Sequence, residues 1–195
     1  MNTLIDFDRA VVVAIPVRAG FGEVGDRECM LIEGPQGWGE FSPPPAADDR
    51  LAARWLTAAT EPGTVGWPDP VRGRIPVAIG VPPVDAAQAA ALVAESGCHT
   101  AEIWVGAPGS TLAEDIARVE AVRDALGADG QIRCAAIGAW DVRTAADLIP
   151  ALARAAGDLQ YVEQPCGTLA ELAALRRRID VPIAADAALI HSAGP

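Results

Sequence analysis

The sequence contains no lysine, and all 15 of its basic residues are arginine. Arginine stays protonated at any ordinary pH and is a poor proton acceptor. Mechanisms built on a lysine base or a lysine Schiff base are therefore excluded for this chain acting alone. Positive charge is scarce in general: 26 acidic residues give a formal net charge of −11. That balance argues against a nucleic-acid partner, because phosphate binding needs clustered cations. The only basic run, Arg176, Arg177 and Arg178, reads as a solvated helix face. No apolar run reaches the length of about 18 residues that a membrane-spanning helix needs, so no membrane partner is expected. The opening MNTLIDFDRA lacks the basic and then apolar pattern of a signal peptide, which makes the cytosol the expected compartment. Cys29, Cys98, Cys134 and Cys166 are far apart with no CxxC pair, so reduced and mostly buried thiols are expected in place of zinc or disulfides. His99 and His191 are the only imidazoles, and His99, in a Gly-Cys-His-Thr turn, is expected at the surface.

What is present is a globular composition, 51% hydrophobic, dominated by Ala, Val and Leu. Residues 10–18 and 28–34 read as strands. Gly20, Gly22 and Gly25 lie between them without the strand-then-helix context of a phosphate loop. Residues 35–45, PQGWGEFSPPP, read as a turn-rich loop because of their Pro and Gly content. A helix over about 46–60 follows, and EPGTVGWPDP reads as a linker.

From Ile75 the texture becomes a regular alternation. Strands are expected at 75–81, 100–105, 131–137, 158–163 and 181–186, with helices at about 85–96, 110–126, 143–155 and 168–178. The second of these helices starts at Ser110 or Thr111 in the reading. Such alternation means βαβ units on a parallel sheet, an α/β fold. An open doubly wound sheet and a barrel both fit. No GxGxxG or P-loop follows any strand, which removes the usual nucleotide-binding support for the open sheet. The division implied is a capping region over 1–74 and a first barrel half over 75–195, ending after a fifth strand.

Several segments resemble o-succinylbenzoate synthases of the enolase superfamily, especially the actinobacterial kind. They include EGPQGWGEFSP at 33–43, RVEAVRDALG at 118–127, YVEQPC at 161–166 and ELAALRRRIDVPIAAD at 171–186. The resemblance implies a partial enolase-superfamily (β/α) barrel with an N-terminal α+β capping region. It also implies a magnesium-dependent lyase that dehydrates a cyclohexadiene carboxylate in menaquinone synthesis. In that family three carboxylates at successive strand ends hold the metal, and a Lys-x-Lys pair on the second barrel strand carries the acid–base chemistry.

Placed on this sequence, the lysine positions are Glu102 and Trp104. The metal-ligand positions are Ala135, Glu163 and Asp186, so two of the three carboxylates remain. Ile137 stands for an Asn of the family pattern, while Ala187 and Ala188 stand for a Glu and a Ser. Ala78, Ile79 and Gly80 replace a polar first strand, and Gly20, Phe21, Gly22 and Glu23 replace a basic, substrate-facing loop. The changes fall on inward and strand-tip positions, where a barrel does its chemistry. The expected outcome is a catalytically inactive binding or structural relative with a small-molecule ligand at the barrel mouth. Two alternatives stay open. In one, Glu102, Glu163 and Asp186 are recruited as a carboxylate cluster for a magnesium-dependent lyase or another enzyme. In the other, the chain is a truncated gene product or an expressed piece whose half-barrel closes by pairing edges in a homodimer.

Overall fold

The computed structural model describes residues 5–17 and 25–191, in two compact units, Met1–Arg74 and Ile75–Pro195. Residues 20–23 of the expected substrate-facing loop lie outside the described part.

In the first unit, β1 (Val11–Pro16), β2 (Asp26–Gly34) and β3 (Gly37–Phe41) form an antiparallel sheet in sequence order. Helix α1 (Asp49–Thr64), capped by the Asp48 carboxylate on the Leu51 amide, packs on β2 and β3. β3 corrects the turn-rich loop expected over 35–45. Its glycines are what allow it to pack: a Cβ at Gly39 would sit 1.7 Å from the Ala59 carbonyl oxygen. Strand and helix backbones therefore meet directly, and Gly is the residue that permits it. The expected linker is corrected as well, since α1 continues through Pro62 to Thr64. Pro62 lies in its last turn, and the neighbouring Gly63 carbonyl accepts the Gln36 amide at 2.9 Å.

The second unit is a five-stranded, all-parallel sheet in the order β4 (Ile79–Val81), β5 (Thr100–Trp104), β6 (Gln131–Ala135), β7 (Tyr161–Glu163), β8 (Ile183–Ala184). Between them run α2 (Ala86–Ser96), α3 (Leu112–Leu126), α4 (Val142–Ala156) and α5 (Leu169–Leu175), with a short α6 (Ala187–His191) at the end. Asp85, Thr111, Asp141 and Thr168 cap the four longer helices, each accepting a backbone amide three residues on. These caps satisfy donors that a helix start otherwise leaves orphaned. Several expected strands are shorter than read. β4 starts at Ile79, β6 ends at Ala135, β7 starts at Tyr161 and β8 has two residues. Apolar residues beyond these limits continue into the strand-tip loops, so hydrophobicity alone overran the ladders.

Each helix packs on its sequence neighbour, α2 on α3, α3 on α4 and α4 on α5. Ala101, Ile103, Ile132, Cys134 and Val162 are buried in one core with Val93, Val122, Ile149 and Leu172 of those helices. A strand alternates its side chains between faces. The intervening residues Glu102, Trp104, Arg133, Tyr161 and Glu163 therefore share the opposite face, and all are partly exposed. A single row of helices on one face is the arrangement of a barrel segment and not of a doubly wound sheet. Cys29, Cys134 and Cys166 are buried and Cys98 is half-buried, all four as free thiols. Burial pushes the Cys134 thiol up to about 12. Among the described residues no helix is long and apolar enough to cross a membrane.

Candidate functional site

Strand register arranges the helix-free face in rows. Trp104 aligns with Ala135, Ala135 with Glu163, and Glu163 with Ala184, at the carboxyl ends of the strands. One step below, Gly80, Glu102, Arg133 and Tyr161 form a second row. Neighbouring strands lie about 4.8 Å apart, so Trp104 and Glu163 are about 10 Å from each other. The Glu163 carboxyl is pushed above its ordinary value, chiefly by burial, then by the Glu102 and Asp186 charges, with Arg133 opposing. Arg133 is itself engaged. Its Nε donates to Gln160 Oε1 at 2.6 Å, and its guanidinium lies 5.1 Å from the centre of the Tyr161 ring. The Tyr161 hydroxyl is pushed up, first by burial.

Two tight networks hold the strand tips, and neither is apparent from the family motifs. The first centres on Gln164, 3% exposed, with φ of 41°. Its Oε1 accepts the amides of Asp186 at 2.8 Å and Ala188 at 3.2 Å. Its Nε2 donates to the Cys166 carbonyl at 2.7 Å. Its backbone carbonyl accepts the Gly138 amide at 2.6 Å. Through its side-chain amide and its backbone carbonyl together, this one buried residue ties the ends of β6, β7 and β8. The left-handed region costs a non-glycine residue on the order of 1–3 kcal/mol, and here the hydrogen bonds offset it. Nothing in the segment YVEQPC announces this conformation.

The second network is the buried pair Asp115 and Arg118 on α3, at 2.8 Å, each side chain 4% exposed. Arg118 donates from Nε to the Val84 carbonyl at 2.7 Å and from Nη1 to the Trp104 carbonyl at 3.0 Å. The Asp115 carboxylate accepts the Gly106 amide at 2.8 Å and the Ser110 hydroxyl at 3.0 Å. The loop after β4 and the tip of β5 are thus fixed from behind. A signal for this pair does exist in the sequence: Asp115, Arg118, Val119 and Val122 follow the spacing of one buried helix face.

The structure separates the expected site residues by role. Trp104 is partly exposed and lines a cavity of ≈ 580 Å³. Ile137, 68% exposed and at φ of 52°, lines the same cavity. Ala135 is buried and offers no oxygen. Glu163 feels Glu102 and Asp186, but among the described residues no three His, Cys, Asp or Glu side chains converge to hold a metal. Magnesium takes hard oxygen ligands in near-octahedral geometry, and Glu163 with Asp186 alone does not supply that set. The residues present do not fit the family's metal.

Comparison with known proteins places these features. Residues 85–193 match the family model described as Enolase C-terminal domain-like, and residues 12–63 match Enolase N-terminal domain-like. The chain is similar to the o-succinylbenzoate synthase of Thermobifida fusca, 50% identical over 182 residues and 93% of this chain. It is also similar to that of Mycobacterium tuberculosis, 44% identical over 189 residues and 96% of this chain. It spans 57% of the length of these curated relatives. Among solved structures, the L-Ala-D/L-Glu epimerase of Bacillus subtilis shares the fold at a TM-score of 0.68 and 22% identity, with 91% of this chain and 66% of that chain covered. The o-succinylbenzoate synthase of Thermosynechococcus elongatus, complexed with Mg in its active site, does so at 0.61 and 21%, with 91% of this chain and 68% of that chain covered.

Proposed function

The chain belongs to the Enolase C-terminal domain-like family, and from that premise we propose that it is a small-molecule-binding relative of the o-succinylbenzoate synthases that does not catalyse their dehydration. The observation that carries this reading is on β5. Glu102 and Trp104 stand at the two positions that the resemblance assigns to lysine, on the helix-free face of the sheet. A carboxylate there repels a carboxylate substrate, and an indole neither accepts nor donates the proton. A positioned acid–base group contributes about 10²–10⁴-fold, and electrostatic stabilisation of the charged intermediate contributes more. Ala135 weakens that second contribution by removing a ligand oxygen. Incubating the chain with the cyclohexadiene carboxylate and millimolar magnesium should give no o-succinylbenzoate above the buffer rate. Sustained product formation that scales with protein concentration overturns the reading. The four free thiols fit a reducing compartment such as the cytosol.

A second reading takes Glu102, Glu163 and Asp186 as a recruited carboxylate cluster in a different, magnesium-dependent enzyme. It is favoured by the effect of the Glu102 and Asp186 charges on the Glu163 carboxyl, and it requires the three side chains to draw closer than they stand here. Tryptophan fluorescence during a magnesium or calcium titration tests it, and a flat response at millimolar metal sinks it. The homodimeric reading rests on β4 and β8, which form the two edges of the parallel sheet, since bare edges are templates for pairing. A single monomeric boundary in sedimentation velocity at micromolar protein removes it.

A further inference from the structure

The cavity between the tips of β5 and β6 differs from the face beneath it. Trp104, Pro83, Pro108, Ala139 and Ile137 line it, together with neighbouring small residues, and among the described residues no lining side chain is ionisable. Its volume of ≈ 580 Å³ falls within the range of small-molecule sites, about 300–1,000 Å³. Two of its walls are unusual in what they expose. Trp104 is partly exposed and lines the cavity, and its strand tip is fixed by the Arg118 hydrogen bond to its own carbonyl. Ile137 is a β-branched residue in the left-handed region, and it is 68% exposed. Such a residue is a conformational outlier, and it contributes little to the core from that position. An exposed apolar rim in a backbone conformation that disfavours it suits contact with something apolar.

The surrounding charges set the chemistry of that contact. Glu102 is on the same strand as Trp104, and Glu163 is two strands away in the same row. Both repel an anion that approaches across this face. Arg133, the cation of the lower row, is taken up by Gln160 and Tyr161. A carboxylate or ammonium entering the cavity would lose water and find no ionisable partner among the described residues of its walls, a large desolvation penalty.

We propose that the Trp104–Ile137 cavity binds an uncharged, flat apolar ring, the ligand class of the binding function assigned above and resting on that assignment. The ring stacks on Trp104 and is covered by Ile137. The site thereby rejects the carboxylate-bearing molecules that the relatives' name implies.

Three probes of one shape test this by titration calorimetry: 2-naphthalenemethanol, 2-naphthoate and protonated 2-naphthylmethylamine. The alcohol should bind, and more tightly than either charged probe by more than about tenfold. Equal or tighter binding of the acid or the amine, or no binding of the alcohol, overturns the proposal. Ile137→Asn separates binding from folding, because Asn tolerates the left-handed region far better than Ile. The variant should melt no lower than the parent, yet bind the alcohol at least about tenfold more weakly through its polar rim. Undiminished binding by this variant also overturns the proposal. The turnover assay distinguishes the two failures. Product formation removes the non-catalytic reading, whereas absent turnover with no preference for the neutral probe removes only the ligand class.

Discussion

Gln164 Oε1 accepts the backbone amide of Asp186 at 2.8 Å across two strand tips. The backbone of the acidic residue after β8 is therefore held by a neutral side chain on the adjoining loop. Replacing that side chain tests how much of the mouth depends on it. Gln164→Leu leaves the amides of Asp186 and Ala188 and the Cys166 carbonyl without their partner. The expected loss is about 2–3 kcal/mol in urea denaturation, with faster hydrogen exchange at those amides. Unchanged exchange at Asp186 would mean that the loop is positioned by something else.

Asp115 and Arg118 form a charge pair with little access to solvent. Breaking such a pair from one side strands a buried charge and costs about 3–5 kcal/mol. Asp115→Ala and Arg118→Met should each approach that loss, while the double variant should lose far less than their sum. A double-mutant cycle by chemical denaturation measures this, and strict additivity contradicts it.

Gly39 lies so close to α1 that any side chain must displace the helix. Gly39→Ala should destabilise the first unit by at least about 3 kcal/mol, visible as rapid proteolysis within residues 25–64. Gly25→Ala, with nothing within 4 Å of the added carbon, is the control and should resist protease like the parent.

Burial and the neighbouring carboxylates raise the Glu163 pKa in the folded state. Over the window between the ordinary and the raised value, the native protein holds a proton that the unfolded chain has released. Stability therefore falls as pH rises through that window and is not recovered above it. Glu163→Gln removes the dependence. It should be more stable than the parent at pH 7, by less than about 1 kcal/mol because the face is open to solvent. It should match the parent below about pH 4, where the carboxyl is protonated in both states. An equal gain at both pH values contradicts this origin.

The parallel strands and their helices were legible because period and caps agree. Thr111 sits three residues before Glu114, and Thr168 three before Glu171, and both pairs form reciprocal capping boxes. β3 was not legible. Its Gly residues, which signal turns in isolation, serve there to admit a helix backbone, and that need exists only in the folded unit. The positions of Glu102, Trp104, Glu163 and Asp186 are those that the resemblance to the family's motifs implies. The groups that orient them could not. Gln164 acts through a backbone conformation that the residue before a proline seldom adopts, and Arg118 acts on carbonyls 14 and 34 residues away in sequence.

The burial of the thiols has a practical consequence for any experiment on this chain. Cys29, Cys134 and Cys166 are sealed in the interior, and Cys134 is held far from its reactive thiolate form. Cys98 alone is within reach of a maleimide, on the turn between α2 and β5. That turn is at the amino-terminal ends of the strands, whereas Trp104 and Ile137 are at the carboxyl-terminal ends. A single dye or spin label at Cys98 would therefore report on the second unit from the side opposite the cavity, without engineering away any native residue.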